Sequence, residues 1–511
     1  VCEKEKIKSV WGFFSRVVGV VCFLYAGNGL YAHGNVDEMI SEKPIVVIIP
    51  SYNNTAWCQR NLDSIVNQKY SNFHIIYLDD CSPDGTGQRV QEYIETRHLE
   101  DKITLIRNQV RRGALANIYT AVHMCDDWAI VVTVDGDDWL KHDHVLARVN
   151  KEYVSNGAWM TYGHYEVYPD NKSEPQKEMR PAIINLNAYR EWDWITSHLR
   201  TFYAWLFKRI KLQDFLFEGS FFDVTWDMAF MFPMLEMAGE RARPIPDILY
   251  VYNCANPIND FKTKVIRQLH CDKLIRSMPK YARLKTVPAD VGVHAKPAAH
   301  TIIFSQDPIR LEKTLASLQA KLRGDAIKGF TVFYSENATS QNQYKDLSVQ
   351  YGPLQFIPVT RQIFRTALLE TIKKSAADYL FFVRDGEVLS DVVDLDQCIR
   401  ALKKSHAHGF YCTLGMNVTK NALLNRPQAL PILTLFEGDM YAWQFKDGEQ
   451  DWRTPYSCSM TLYRAADIVP VFESIQFCDS VTLESACNKM CFDMTSVGLF
   501  FQAAKVQPFI Q

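Results

Sequence analysis

The sequence predicts an α/β protein built as two successive units, each an open, mostly parallel sheet flanked by helices. Three observations carry that prediction. Short β-branched runs alternate with helical periodicity from Ile45 onward; several of these runs end abruptly in acids or turn residues; and the alternation restarts at His300 after a stretch with little periodicity. At 511 residues the chain is also too long for one hydrophobic core. Its 56 Lys and Arg against 58 Asp and Glu give a net charge of -2 with no basic run, which argues against nucleic acid as a partner. Thirteen cysteines without framework spacing read as reduced thiols, and the cluster Cys478, Cys487 and Cys491 reads as helix packing rather than zinc ligation.

The chain divides into an amino-terminal segment 1–40, a first α/β unit 41–279, a linker 280–299 containing Pro288 and Pro297, and a second unit 300–511. In the first segment Lys4, Lys6 and Lys8 precede an apolar stretch, Val10 to Ala32, interrupted by Arg16. That pattern fits an export signal or a membrane anchor. Gly27-Asn28-Gly29 within it is no dinucleotide fingerprint, because no strand precedes it.

Ile45 to Ile49 is the first strand, ended by Pro50 and the turn Ser51-Tyr52-Asn53-Asn54. Thr55 then suits a helix cap, and Trp57, Leu62, Ile65 and Val66 recur at helical spacing. The second strand, Phe73 to Leu78, completes a right-handed βαβ unit and delivers Asp79 and Asp80 to its carboxyl end, where a carboxylate can accept from a base N–H or a ribose hydroxyl. A third strand, Ile103 to Ile106, leads through Asn108, Arg111, Arg112 and Gly113 into a helix with Leu115, Ile118, Tyr119 and Val122 on one face. Arginines just before a helix amino terminus favour anions, or are simply solvated.

The fourth strand is Val131 to Val134, and it ends in Asp135-Gly136-Asp137-Asp138. Three carboxylates at a sheet edge repel one another unless a cation compensates them. Oxygen ligands of this kind suit Mg2+ or Mn2+ shared with the phosphates of a nucleotide diphosphate.

Taken together, IVVIIPSYNNTAWCQRNLDSIVNQKYSNFHIIYLDDCSPDGTGQ, NQVRRGALAN and VDGDDWL resemble, in order and spacing, the family-2 glycosyltransferases of the GT-A fold, over about Pro44 to Asp260. The resemblance implies a nucleotide-diphospho-sugar donor, a divalent metal and inversion at the anomeric carbon. It implies that Pro50, Tyr52 and Asn53 sit in the nucleotide loop, that Asp80, with Asp79 beside it, faces the base or ribose, and that Asp135 and Asp137 are the Asp-x-Asp pair. Asp137 would ligate the metal directly, and Asp135 would bind ribose or a metal-bound water. Arg111 or Arg112 would add positive charge at the donor.

Met160 to Tyr168 reads as one strand, followed by Trp192, Trp194, Ser197, His198, Arg200, Phe202, Tyr203 and Trp205. Aromatic rings mixed with hydrogen-bonding groups suit a sugar acceptor, with Trp194, His198 and Arg200 as candidates, or a buried core. An amphipathic helix from Met228 to Ala238 follows, with Asp227 near its start. By the resemblance Asp227 matches the carboxylate that takes the acceptor's proton; Trp226 replaces the usual second acid, which leaves Asp223 as the alternative base. Polar residues from Asn253 to Asp260 receive no role.

The second unit looks like a faded copy. Ser51 and Asp135 lie 84 positions apart, Ser305 and Asp385 80. Ser335-Glu336 replaces the acid pair, and Arg384-Asp385-Gly386-Glu387 the metal motif. Tyr441, Trp443, Trp452 and Tyr456 make either a glycan-binding face or a scaffold or homodimer surface. The glycosylation pattern occurs at Asn337-Ala338-Thr339, at Asn417-Val418-Thr419 and at Asn53-Asn54-Thr55. A glycan in the donor loop would block it, which favours a membrane-associated protein with its catalytic domain in the cytosol over one in the secretory pathway. The expected activity is metal-dependent transfer of a sugar to a glycan, lipid or protein acceptor. The rivals are a non-catalytic carbohydrate-binding or scaffold protein and a nucleotidyltransferase, which would want a Gly-rich loop where Pro-Ser-Tyr-Asn stands.

Overall fold

Strand β1 (Ile45–Ser51) is buried along its whole length and pairs in parallel on both sides, with β2 (Phe73–Asp79) and with β4 (Ile130–Thr133). A computed structural model describes residues 41–508 except 174–176, 178, 258–259, 294, 336–340 and 422–425. The expected signal or anchor at 1–40, Glu336 and the glycosylation pattern Asn337-Ala338-Thr339 lie outside the described residues. Among the described residues no helix is long and apolar enough to cross a membrane.

Helix α1 (Cys58–Val66) connects β1 to β2, α2 (Thr86–Arg97) connects β2 to β3 (Ile103–Arg107), and α3 (Ala114–Met124) returns the chain to β4 on the far side of β1. This return creates a switch point, and the carboxyl ends of β1, β2 and β4 open into its crevice. The sheet is completed by β5 (Met160–Gly163), β6 (Ser197–Tyr203) and β7 (Ala242–Pro244) in the order β3-β2-β1-β4-β6-β5-β7. β6 runs antiparallel to both neighbours, and β7 is parallel to β5. The single strand expected from Met160 to Tyr168 breaks instead at His164. Tyr165–Tyr168 moves to a second, small sheet, where it pairs with β8 (Tyr250–Asn253), which also pairs with Trp139–Leu140.

Helix α4 (Trp226–Ala238) is buried from Met228 to Ala238 rather than amphipathic. Its one internal acid, Glu236, is paired with the buried Arg190, so no face of the helix remains for water. The FYAWLF run is likewise core: Phe202, Tyr203, Trp205 and Phe207 are all buried. The stretch read as a linker carries no helix or strand among the described residues until β9 begins at Ala299, yet Tyr281 hydrogen-bonds Asp214 and Glu236, and Gly292 N donates to Asp127.

The second sheet repeats the first. Its strands are β9 (Ala299–Ser305), β10 (Ile327–Ser335), β11 (Gln355–Val359), β12 (Tyr379–Arg384), β13 (Gly409–Tyr411), β14 (Thr434–Glu437), β15 (Met440–Gln444), β16 (Thr461–Arg464) and β17 (Val497–Phe501), ordered β11-β10-β9-β12-β16-β13-β17-β15-β14. The first seven in that order match the first sheet strand for strand. The match includes the antiparallel strand between β12 and β13 and the parallel pairing of β17 with β13. The second half is therefore a topological copy of the first with a hairpin, β14–β15, added at its edge.

In this copy the equivalent acid is taken up by the loop after β9. Asp385, the counterpart of Asp135, has one carboxylate oxygen accepting from Ser305 Oγ (3.0 Å), Gln306 N (2.5 Å) and Asp307 N (2.8 Å). Trp443, Trp452 and Tyr456 are core residues, so the sugar-binding face the sequence allowed is an interior.

Burial pushes the Glu387 carboxyl up to about 7, against hydrogen bonds from Ser459 and the Arg384 main chain. The neighbouring charges are Arg384 and its ion-pair partner Glu484. Below about 4.5 both folded and unfolded chains hold this proton; above it the unfolded chain releases the proton while the folded chain keeps it until about 7. Stability therefore falls as pH rises through that window. Glu387→Gln cannot ionise and is expected to gain on the wild type in thermal midpoint between pH 5 and pH 8. Parallel midpoints across that range would refute the assignment.

Candidate functional site

The acid turn is built by contacts from three distant elements. Gly136 N donates to Pro50 O (3.1 Å), and a Cβ at position 136 would fall 2.4 Å from Ser51 Oγ and 2.7 Å from Asn54 Nδ2. Only glycine lets the turn approach the loop after β1 this closely. From α1, Asn61 Nδ2 donates to the carbonyls of Asp135 (3.0 Å) and Asp138 (2.7 Å). From β8, Tyr250 Oη (2.7 Å) and Asn253 N (2.7 Å) donate to the two oxygens of Asp138, while Asn256 Nδ2 donates to Asp137 Oδ2 (2.7 Å).

The three acids are thereby sorted. Asp138 is fully buried, and burial together with Asp137 and Asp135 pushes its carboxyl well above the usual carboxylate range. Asp135 and Asp137 are half-buried. His198 brings a ring nitrogen within 4.8 Å of carboxylate oxygens of Asp135 and Asp138. Its ring stacks on Tyr250 at 4.3 Å, and burial and Arg200 lower its pKa, so the imidazole is neutral. Arginine can only donate, so the contact from Arg200 Nη2 (3.1 Å) makes His198 Nε2 the acceptor and places the ring proton on Nδ1, which is buried without a partner.

Arg200 also reaches Asp227 Oδ2 at 2.8 Å, so the acid turn, His198, Arg200 and Asp227 form one contiguous polar path. Asp227 is accessible at the start of α4. Asp223 points elsewhere and pairs with Arg267 (2.7 Å) and Lys264 (3.7 Å). Trp194 packs on Phe232, and His198 and Arg200 are buried. The three residues expected to meet an acceptor are thus placed against the core and the acid turn.

On the other side of β1 the loops form a cavity of about 360 Å³, lined by Asp79, Cys81, Ser82, Arg107, Asn108 and Gln109. Asp79 is buried and its Oδ1 has no hydrogen-bond partner. A Cβ at Gly87 would fall 2.4 Å from Asp79 Oδ2 and 2.8 Å from Arg107 Nε, so the missing side chain there leaves room for both. Asp80 is used differently: its carboxylate accepts from Asn108 Nδ2, Arg112 N and Gly113 N, each at 2.8 Å, and so shapes the loop instead of lining the cavity. Asn53 is left-handed (φ 57°) with its N donating to Ser82 Oγ (3.0 Å), and Arg111 stacks on the Tyr52 ring at 3.8 Å. Thr55, expected as a cap, binds Asp84 instead, and α1 begins at Cys58. The Arg112 guanidinium turns away to the Phe436 carbonyl in the second copy (3.3 Å).

Residues 46–216 match the model of glycosyl transferase family 2. They form a family 2 glycosyl transferase domain. Of curated proteins, the chain is 33% identical over 137 residues to the glycosyltransferase GlyA of Streptococcus pneumoniae serotype 4, covering 27% of this chain and 18% of that one. It is 26% identical over 184 residues to the putative colanic acid biosynthesis glycosyl transferase WcaA of Escherichia coli K12, covering 35% and 64%. The chain thus spans less than two thirds of the length of either relative. Among solved structures, the mannosyltransferase PcManGT from Pyrobaculum calidifontis in complex with GDP-Man and Mn2+ aligns at 23% identity and a TM-score of 0.33, over 47% of this chain and 66% of that one. The matched span of the glycosyl transferase domain ends before Asp227 and before Tyr250, Asn253 and Asn256, which hold the acid turn. The sequence reading gave these last three no role; the polar run that closes β8 was the signal available.

Proposed function

We propose that the chain transfers a sugar from a nucleotide-diphospho-sugar to a hydroxyl acceptor on a glycan, lipid or protein, with a divalent metal and inversion at the anomeric carbon. One observation carries this reading: two accessible carboxylates, Asp135 and Asp137, sit on a turn fixed from three sides at the carboxyl end of β4. The third acid is buried behind them. Asp135 and Asp137 would hold Mn2+ or Mg2+, with Asp138 and His198 supporting Asp135 from the interior side. When bound, that cation would offset charge on the departing diphosphate. Asp79, which lines the cavity beside Arg107, suits a base N–H or ribose hydroxyl. Asp227 would take the proton from the acceptor hydroxyl as it attacks the anomeric carbon, with Arg200 holding the carboxylate in place.

The test is hydrolysis of a panel of UDP- and GDP-sugars by the full-length chain in Mn2+, Mg2+ or chelator. Turnover of one donor that chelator abolishes is expected. Silence with every donor, together with no nucleotide binding by calorimetry, would favour a non-catalytic carbohydrate-binding or scaffold protein.

A further inference from the structure

Two loops of the first copy, far apart in sequence, are fastened to one strand of the second. The turn around Gly219, between Leu216–Phe217 and Ser220–Phe221, lies shortly before Asp223 and Asp227. Its Gly219 carbonyl accepts from Thr434 Oγ1 (2.7 Å), at the start of β14. Gly219 has φ +73°, and a Cβ there would fall 1.9 Å from Ile432 Cγ2, so the turn is pressed against the approach to that strand. At the other end of β14 the Phe436 carbonyl accepts from Arg112 Nη2, while the Arg112 main-chain N donates to Asp80. Glu437 adds negative charge beside Arg112 and pairs with Lys404 (3.0 Å), whose carbonyl accepts from Tyr119 Oη (2.8 Å) on α3.

We propose that β14 is a clamp by which the second copy sets the spacing between the nucleotide loop and the segment bearing Asp227. The inference rests on the transferase reading above. It gives Arg112 a positioning role in place of a phosphate contact, and it explains why a catalytically eroded copy carries an extra hairpin at the edge that meets these two loops.

The test uses residues of the second copy. Glu437→Lys, at an exposed position, repels Arg112; Thr434→Val removes the hydroxyl that holds Gly219, and Thr434→Ser restores it. Binding of UDP and of GDP in Mn2+ is measured by calorimetry, and kcat by hydrolysis of the nucleotide sugar that the wild type turns over. Glu437→Lys is expected to weaken nucleotide binding about tenfold with kcat at saturation retained. Thr434→Val is expected to lower kcat about fivefold with nucleotide affinity retained, and Thr434→Ser to recover it. Wild-type affinity and kcat in both Glu437→Lys and Thr434→Val would overturn the clamp. A wild type that binds neither nucleotide would instead overturn the functional reading beneath it.

Discussion

Asp135→Asn is expected to lower metal-dependent turnover of the nucleotide sugar about a thousandfold or more, since the change removes a charge that the cation and the diphosphate both depend on. The substitution is isosteric. The contact from Asn61 to residue 135 is to its carbonyl, so the turn keeps its anchor and the fold its stability. Steady-state hydrolysis at saturating donor, repeated across a manganese titration, checks the result. Loss of rate with a raised metal requirement is expected; turnover within about threefold of wild type would move the metal away from this turn. Asp138→Asn offers a contrast. Its oxygens accept from Tyr250 and Asn253 in the interior, so its main effect is expected on stability, through the weakening of the bonds that hold the turn to β8.

Asp227→Asn is expected to reduce kcat by about a hundredfold to ten-thousandfold while UDP or GDP affinity is retained, the signature of a lost general base. A stability cost accompanies it, because Arg200 is buried and Asp227 is its carboxylate partner. Removing one member of such a pair costs about 3 kcal/mol, so rates are compared below the onset of unfolding. Asp223→Asn serves as the control. That carboxylate is well exposed and engaged by Arg267 and Lys264, and its variant is expected to keep kcat within about twofold. An Asp223 variant with the larger loss would exchange the two roles.

The alternation of strand and helix from Ile45 to Val134 was legible because each strand is short and apolar, with the central β1 and β4 buried throughout and rich in β-branched residues, so period and turn chemistry agree. The second copy was legible from the alternation that restarts at His300 and from its spacing, and its sheet order bears this out. What escaped the sequence depends on contacts across long separations. Nothing local to Asp80 says that Asn108, Arg112 and Gly113 will saturate its carboxylate, and nothing local to Arg112 says that its side chain will be drawn to Phe436. Likewise α4 looked amphipathic because it contains Glu236; only the arrival of Arg190 makes that acid an interior group. His198 was read as part of an acceptor face because its strand is aromatic, whereas register with β4 carries it to the acid turn.

The way β8 holds the acid turn has a consequence for when the site comes into being. Asn253 is 115 positions from the aspartate it holds, and Asn256 is 119 from its own. Loop closure over such distances costs more chain entropy than closing the local βαβ units, so the turn is expected to take its native shape after them. A nascent or truncated chain ending before Tyr250 would therefore carry every acid of the motif, and the whole span that identifies the family, without the geometry that sorts those acids into two accessible carboxylates and one buried one. Competence arrives with the return of the chain, and not with the motif.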